Sequence, residues 1–268
     1  MGFWDTFDKD RLIAAHRGFR SIRAENTMAA FEASIGRCDF VELDVGFSRD
    51  GVPIIIHDDS LKRTSNVAEV EGFSAPYAVV DYSYAELLQL DLSSWFLISD
   101  PFGTIAENDS LAQENRMLPI QRIPTLRETL SFFKRYHMPV NIEIKDMRGT
   151  LFDSVATAKT LELVRECSME ESVLISSFNH AYVAEAKALA PYISRAALQE
   201  HGHPQNLIAY LRELGVDCYH CELKIVTQAL VRELTDAGIT VNVYTVNTPE
   251  EKEQMFSWGV KSVFTDFL

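Results

Sequence analysis

Short apolar segments rich in β-branched residues recur along the chain, and they alternate with longer segments in which apolar residues recur every three or four positions. The first pattern predicts buried strands and the second predicts amphipathic helices. The predicted strands lie at 11–16, 40–47, 52–57, 139–145, 172–178, 194–198, 216–220, 239–246 and 262–266. The predicted helices lie near 27–37, 125–137, 151–167, 180–190, 204–213, 226–237 and 249–257. This alternation indicates βαβ units and parallel pairing.

The second and third predicted strands are an exception, because only a short stretch with the letters SRDGVP separates them. A parallel crossover needs about a dozen residues, so these two strands are expected to form an antiparallel hairpin. The dipeptide Asp50-Gly51 suits a two-residue turn, and counting back from it places His57 opposite Asp44. The remaining strands predict an α/β fold, a (β/α)8 TIM barrel.

A long connection follows the hairpin. It is predicted to carry a small helix at 83–90 and an irregular tract at 100–122. Long connections in compact domains are usually functional or disordered. We therefore expect one barrel domain over 1–268, with an insertion at about 59–124 that forms a small cap over the barrel mouth.

Composition and charge narrow the class of protein. The chain has 268 residues, of which 47% are hydrophobic, which suffices for one large core. Its formal net charge of −14 argues against nucleic acid and anionic membranes as partners. The sequence contains no apolar run that predicts a transmembrane segment and no signal-peptide pattern, so a cytoplasmic location is expected. The oligomeric state is left open.

Carboxylates interrupt two strands that should be apolar. Glu42 and Asp44 lie two positions apart in FVELDV, and Glu143 and Lys145 are likewise spaced in NIEIK. Side chains two positions apart in a strand share a face, and buried carboxylates need a cation. An ion pair such as Glu143 with Lys145 would explain one carboxylate. Three together predict one divalent cation with oxygen ligands, either Ca²⁺ or Mg²⁺.

Two histidines accompany these carboxylates. His16 and Arg17 lie at the end of the first strand, at the barrel face where active sites of this fold lie, and His57 ends the second strand of the hairpin. Two imidazoles can act as general base and general acid near neutral pH. Arg17 and Lys145 offer cations for an anionic substrate. Together with a divalent cation, these residue types favour cleavage of a phosphoester.

Other residues have weaker signals. Asn26 is a plausible N-cap for the first helix, and Glu25 either organises the loop before it or contacts substrate. Phe178 and Tyr244, at strand ends, line a pocket or pack in the core. His220, near the barrel mouth, is interpreted as a polar residue without a catalytic or binding role.

Several stretches match one enzyme family in order along nearly the whole chain: HRG…AENTMAAFEAS, FVELDVGFSRDGVPIIIHDDSLKRTSN, IPTLRETL, NIEIK, ISSFNH, AGITVNVYTVN and GVKSVFTD. In these stretches the chain resembles the glycerophosphodiester phosphodiesterase family, whose barrel is like that of phosphatidylinositol phosphodiesterases. The resemblance implies hydrolysis of glycerophosphodiesters to sn-glycerol 3-phosphate and an alcohol. It also implies metal binding by Glu42, Asp44 and Glu143, acid–base roles for His16 and His57, and phosphate contacts from Arg17 and Lys145.

Two other functional classes compete with this interpretation. A metal-dependent barrel lyase or aldolase acting on a small anionic substrate would also use acidic ligands, but it does not need the histidine pair with Arg and Lys. A non-catalytic binding module should lack at least one of the seven site residues, and all seven are present. Tyr244 stands where the family often has tryptophan, which leaves the preferred alcohol group open.

Overall fold

The computed structural model describes residues 2–268, and within them eight parallel strands close into a barrel. β3 pairs antiparallel with β2 outside this ring, and the ring itself closes where the first strand pairs with both the second and the last. The predicted TIM-barrel fold is therefore confirmed. The strands are β1 (Leu12–Ala15), β2 (Phe40–Phe47), β3 (Pro53–Ile55), β4 (Val140–Ile144), β5 (Val173–Ser177), β6 (Ser194–Gln199), β7 (Cys218–Glu222), β8 (Thr240–Tyr244) and β9 (Ser262–Thr265).

The helices are α1 (Met28–Ser34), α2 (Tyr84–Leu87), α3 (Ser94–Ser99), α4 (Thr104–Glu107), α5 (Asp109–Met117), α6 (Leu126–Arg135), α7 (Ala156–Glu166), α8 (His180–Leu189), α9 (Leu207–Leu214), α10 (Gln228–Asp236) and α11 (Pro249–Trp258). Most helices between barrel strands begin at a residue whose side chain accepts a backbone N–H, as local capping requires. For α1 this residue is Thr27, so the predicted cap at Asn26 is wrong.

The hairpin of β2 and β3 has a different register from the one predicted. Val45 pairs with Ile55, which puts Ile56 rather than His57 opposite Asp44. The Ile56 N–H donates to the Asp44 carbonyl at 3.0 Å. His57 lies two residues beyond the end of β3, where strand alternation no longer decides its direction.

The turn of this hairpin explains the shift. Ser48 and Val52 are hydrogen-bonded across its base, with 3.1 Å between the Ser48 nitrogen and the Val52 oxygen. Three residues therefore form the loop instead of two. Gly51, the third of them, has a φ of +78°, the left-handed conformation that three-residue hairpin loops place at this position.

The segment between β3 and α6 is more regular than the sequence predicts. The small predicted helix is present as α2, but the tract at 100–122 is helical over α4 and α5, so its prediction as irregular was wrong. Asn108 caps α5 by accepting the N–H of Leu111 at 3.0 Å. Few residues of α5 are buried, which explains the weak apolar pattern.

These short helices pack on the loop between β1 and α1. The Asn115 amide donates to the carbonyl of Ile22 at 3.1 Å, and Phe96, Leu111 and Ala24 belong to one apolar cluster. The segment therefore reaches the barrel through this loop. The description of the chain as one domain with an insertion at 59–124 stays a prediction.

The barrel interior changes from apolar at one end to polar at the other. The short 3₁₀ helix Phe3–Thr6 closes the N-terminal end, where Phe3 packs against Phe40 with 5.3 Å between ring centroids. Inward-facing positions toward the C-terminal ends carry the carboxylates and histidines instead. Among the helices of the described residues, none combines the length and the apolar content needed to cross a bilayer.

Candidate active site

Three carboxylates meet at the C-terminal ends of β2 and β4. Asp44 and Glu143 are neighbours in the parallel ladder, and Glu42 lies two residues earlier on the same face of β2. One oxygen from each of the three lies within 4.8 Å of the others, and all three residues are buried. Burial and the negative charges of Asp44 and Glu143 raise the pKa of Glu42 well above its usual range.

Two cations border this acidic cluster. The Arg17 backbone N–H donates to Glu42 Oε2 at 2.8 Å, and its side-chain Nε lies 3.4 Å from Asp44 Oδ2. Lys145 Nζ lies 2.6 Å from Glu143 Oε1 and 3.5 Å from Asp44 Oδ1. Burial alone would raise the pKa of Asp44, but Lys145, Arg17 and His57 hold it below its usual value. The three carboxyl groups are therefore partly ionised, and the two cations offset only part of their negative charge.

Asn26 contributes to the same cluster, although the sequence pattern suggested a helix cap. Its side-chain amide donates to Asp44 Oδ2 at 2.8 Å, and its backbone has a left-handed φ of +54°. Asparagine tolerates this conformation better than most residues. Asn26 thus orients the central carboxylate of the cluster.

His16 ends β1 and is held by a carboxylate from the far end of the chain. Its Nδ1 lies 2.8 Å from Asp266 Oδ1, and the Asn247 amide donates to the other Asp266 oxygen at 2.8 Å. Burial and the charge of Arg17 lower the pKa of His16, although Asp266 acts in the opposite direction. His16 is therefore neutral at pH 7, with Nε2 as its remaining nitrogen.

His57 has an analogous partner next to it in sequence. Its Nδ1 lies 2.6 Å from Asp58 Oδ1, and Arg63 Nε donates to Asp58 Oδ2 at 2.6 Å. Burial would raise the pKa of Asp58, but His57 and Arg63 lower it. Each of the two histidines is therefore oriented through Nδ1 by an aspartate.

Glu25 joins three arginines beneath this arrangement. It lies 2.6 Å from Arg63 Nη2, 2.9 Å from Arg20 Nη2 and 3.0 Å from Arg17 Nη1. Burial would raise the pKa of Glu25, but Arg63, Arg17 and Arg20 lower it strongly. Arg63 therefore connects the aspartate that orients His57 with the carboxylate that holds Arg17.

A cavity of about 390 Å³ opens above the acidic cluster. The ends of β1 to β4 form one side of this cavity, and the ends of β5 to β8 form the other side. Lys145 instead lines a smaller adjoining cavity of about 150 Å³, which shares His57 with the first. Glu25 is not among the described residues that line either cavity. The larger cavity is lined by His16, Arg17, Glu42, His57, Asn141, Glu143, Phe178, Leu198, Glu200, His220, Glu222, Leu223, Lys224, Tyr244, Thr245 and Phe264.

His220 is more closely associated with the cavity than the sequence suggested. It lines the floor, is fully buried, and packs against Phe264 with 5.0 Å between ring centroids. Its Nδ1 has no hydrogen-bond partner within residues 2–268. Burial lowers the pKa of His220 to about 3, so this imidazole is neutral at physiological pH.

Sequence reasoning missed the groups that orient the two histidines. Asp58 carried a usable signal, because a carboxylate directly after a catalytic-type histidine can reach its ring. Asp266 carried none, since 250 positions separate it from His16. Arg63 lies in a segment without a regular pattern, and only the folded chain brings it to Asp58.

Comparison with known proteins identifies the family. Residues 16–268 match the Glycerophosphoryl diester phosphodiesterase family. The glycerophosphodiester phosphodiesterase of Bacillus altitudinis is 32% identical over 260 residues, covering 95% of this chain and 94% of that protein. The glycerophosphodiester phosphodiesterase of Caldanaerobacter subterraneus subsp. tengcongensis is 31% identical over 256 residues, covering 95% and 93% respectively.

A solved structure gives a similar result. A phosphodiesterase of Oleispira antarctica, determined in complex with the product sn-glycerol-3-phosphate, superimposes with a TM-score of 0.82 at 28% identity. The match covers 100% of this chain and 96% of the Oleispira chain. These relationships favour phosphodiester hydrolysis over the lyase or aldolase alternative. The chain thus belongs to the glycerophosphoryl diester phosphodiesterase family and is a phosphoric diester hydrolase.

Proposed function

We propose that the 390 Å³ cavity hydrolyses glycerophosphodiesters to sn-glycerol 3-phosphate and an alcohol, with His16 and His57 as the acid–base pair. The observation that carries this proposal is the convergence of two aspartate-oriented histidines on one buried acidic cluster. Burying charged side chains is costly unless a partner or a ligand compensates them. The two features are therefore better explained by a function than by a role in stabilising the fold. The Oleispira relative, with sn-glycerol-3-phosphate as its product, supports the same assignment.

The acidic cluster fits a hard divalent cation, either Ca²⁺ or Mg²⁺. Glu42, Asp44 and Glu143 present oxygens within 4.8 Å of one another, the spacing expected of ligands around one ion. Asp44 Oδ1 accepts no hydrogen bond from the described part of the chain, although it is buried. When bound there, such a cation would polarise a phosphoryl oxygen and offset the charge that develops in the reaction.

Arg17 and Lys145 hold the phosphate in this proposal. Arg17 lines the cavity beside His16, and its guanidinium can donate to two oxygens of one phosphate. Lys145 lies on the other side of Asp44, so its ammonium contributes positive charge from the adjoining cavity. Both side chains are mostly buried, which strengthens their interaction with an anion.

The two histidines divide the proton transfers. His16 is neutral because its pKa is lowered, so its Nε2 is suited to take the proton of the attacking hydroxyl. A new oxygen–phosphorus bond forms while the bond to the alcohol oxygen breaks. Attack by water gives sn-glycerol 3-phosphate directly, whereas attack by the substrate's own neighbouring hydroxyl gives a cyclic phosphate that water then opens as the two histidines exchange roles. His57 then gives its proton to that leaving oxygen, and the carboxylate of Asp58 holds its ring through Nδ1. Asp266 and Asp58 act through the histidines and are positioning residues.

One assay tests this function against the alternatives. Release of sn-glycerol 3-phosphate from glycerophosphocholine is measured with added Ca²⁺ or Mg²⁺ and again with EDTA. We expect turnover that EDTA abolishes and that His16→Ala and His57→Ala each reduce by at least about 100-fold. His137→Asn is the matched control, because His137 is exposed, follows α6, and has a left-handed φ of +52° that asparagine accepts. Turnover that survives in either alanine variant would overturn the acid–base assignment.

A further inference from the structure

The helices α3, α4 and α5, here called the α3–α5 segment (residues 94–117), lie against the loop between β1 and α1 that begins with His16. The Thr104 hydroxyl donates to the carbonyl of Ser21 in this loop. The structure describes all of residues 94–117, and none of them lines either of the two cavities at the site. The segment therefore contacts the loop that carries His16 rather than the space for substrate.

One aromatic ring of this segment lies beside the groups that orient His16. Phe102, between α3 and α4, lies over the guanidinium of Arg20, with 5.2 Å between its ring centroid and Cζ. Its ring also meets Phe267 edge to face, with 5.6 Å between centroids, and Phe267 directly follows Asp266. Arg20 Nη1 lies 3.6 Å from Asp266 Oδ1 and 3.5 Å from His16 Nδ1. Phe102 therefore packs both on the arginine that contacts Asp266 and on the residue next to Asp266.

A second ring of the segment has the same relation to His57. The ring centroid of Trp95, in α3, lies 5.9 Å from Cζ of Arg63. The indole nitrogen of Trp95 donates to the carbonyl of Leu92 at 3.0 Å, which fixes the ring. Arg63 donates to both oxygens of Asp58, and Asp58 contacts His57 Nδ1. Each histidine is thus linked through an aspartate and an arginine to an aromatic ring of the α3–α5 segment.

The carboxylate of Glu25 alone cannot hold these arginines, because Arg17, Arg20 and Arg63 all contact it. A guanidinium is weakly hydrated and stacks well on aromatic faces. Such a contact contributes about 0.5–1 kcal/mol at an exposed site and about 2 kcal/mol where water is excluded. The contact should be stronger at Arg20, whose side chain is 15% exposed, than at Arg63, which is 41% exposed.

We propose that the α3–α5 segment positions both histidines of the proposed reaction, through two aromatic rings and the arginines that they cover. Phe102 holds the arginine on the His16 side, and Trp95 holds the arginine on the His57 side. Both rings are positioning residues, because they act on the histidines through other side chains. The inference rests on the proposed function, since it concerns the acid–base pair of the same reaction.

The first test measures kcat and KM for glycerophosphocholine in Phe102→Leu, with Ca²⁺ or Mg²⁺ present. Leucine keeps the apolar contact but has no ring face. We expect kcat to fall by about 2- to 30-fold, the range of a cation–π contact, while KM stays nearly unchanged. Phe102→Tyr keeps the ring face and should retain the wild-type kcat. Phe73→Leu is the matched control, because Phe73 lies in the same insertion but packs on Tyr82, with 4.5 Å between ring centroids. A wild-type kcat in Phe102→Leu, or an equal loss in Phe73→Leu, would overturn the proposal.

A double-mutant cycle separates positioning from a general loosening of the segment. Because Phe102 acts through Arg20, Phe102→Leu should have no further effect on kcat in an Arg20→Met background. Losses that add in the double variant would contradict this route.

The second ring is tested in the same way. Trp95→Leu should lower kcat by about 2- to 5-fold, since Arg63 is the more exposed arginine, and the loss should disappear in an Arg63→Met background. Thermal unfolding confirms that each variant is folded at the assay temperature. An active wild type whose kcat neither ring variant changes would overturn this inference alone. A wild type that releases no sn-glycerol 3-phosphate would overturn the proposed function, and this inference with it.

Discussion

Replacing Glu42 with glutamine should stabilise the protein when no divalent cation is present. The pKa of Glu42 is raised by burial and by the charges of Asp44 and Glu143, so its ionised form is unfavourable in the folded state. Glutamine has nearly the same shape and no charge. It also keeps an oxygen that can accept the Arg17 N–H, which lies 2.8 Å from Glu42 Oε2 in the wild type.

The magnitude follows from the spacing of the carboxylates. Two unit charges separated by the 4.8 Å limit of this cluster repel by roughly 3 kcal/mol at an effective dielectric constant of about 20. Glu42 has two such neighbours, and Arg17 offsets part of their effect. A net gain of about 3 kcal/mol corresponds to a rise in Tm of roughly 6–12 °C for a domain somewhat smaller than this chain.

The gain must also depend on pH with a definite sign. A carboxyl whose folded pKa is raised contributes stability that is fully present below its unfolded pKa of about 4.5 and is lost as pH rises through the folded value. The Tm difference between Glu42→Gln and wild type should therefore be largest at pH 8 and should shrink toward pH 5. His16 titrates in the opposite sense, but it is present in both proteins and cancels in the difference.

The assay is thermal unfolding in EDTA at pH 8 and pH 5, repeated with Ca²⁺ or Mg²⁺. A cation at 100 times its Kd should stabilise the wild type by about 2.7 kcal/mol and the variant by less, so the variant's advantage in EDTA should shrink. Glu233→Gln controls for the change in net charge. A Glu42→Gln variant that is less stable than wild type in EDTA at pH 8 would refute the reasoning.

Two further predictions test the residues around the histidines, and a third tests the nucleophile. Asp266→Asn should lower kcat by on the order of 100-fold. It should also move the acidic limb of the kcat/KM pH profile to lower pH, because Asp266 raises the pKa of His16. An acidic limb that does not move would argue against coupling between His16 and Asp266. Arg63→Met should lower kcat by about 10-fold and decrease Tm, since Asp58 loses its partner. Arg122→Met is the control, because Arg122 lies in the same segment but donates to the backbone carbonyls of Gln89 and Leu90. Equal losses in both variants would assign Arg63 a purely structural role. Diesters whose hydroxyl next to the phosphorylated carbon is removed or methylated should be cleaved orders of magnitude more slowly if that hydroxyl is the nucleophile, whereas normal rates with equal affinity would establish direct attack by water.

The barrel could be predicted from the sequence because its signals are local. Each strand is a short buried run, and each connecting helix has an apolar face, so the alternation is visible without knowledge of contacts. The antiparallel hairpin followed from connection length alone. The helices α4 and α5 could not be predicted in this way, because they are short, expose most of their surface, and are stabilised by contacts with the loop at residues 21–24.

The acidic cluster was predictable for a similar reason. Glu42 and Asp44 share a face of one strand, and charged residues in a parallel barrel strand stand out against the expected apolar pattern. The partner of His16 was not predictable, since Asp266, which Asn247 holds, reaches His16 only when the barrel closes between its first and last strands. Closure is a property of the whole chain, and no local pattern encodes which side chains it brings together.

His57 lies at the cavity although the geometric step that predicted its position was wrong. The predicted register put it opposite Asp44, and the observed register is shifted by one residue, which by strand alternation alone would turn His57 away. It nevertheless lines the cavity, because β3 ends at Ile55 and the chain bends after Ile56 donates its N–H to the Asp44 carbonyl. Asp58, held by Arg63, then fixes the ring. The position of this histidine therefore depends on a contact from the segment after the hairpin rather than on the hairpin itself, which is why replacing Arg63 should affect His57 through Asp58.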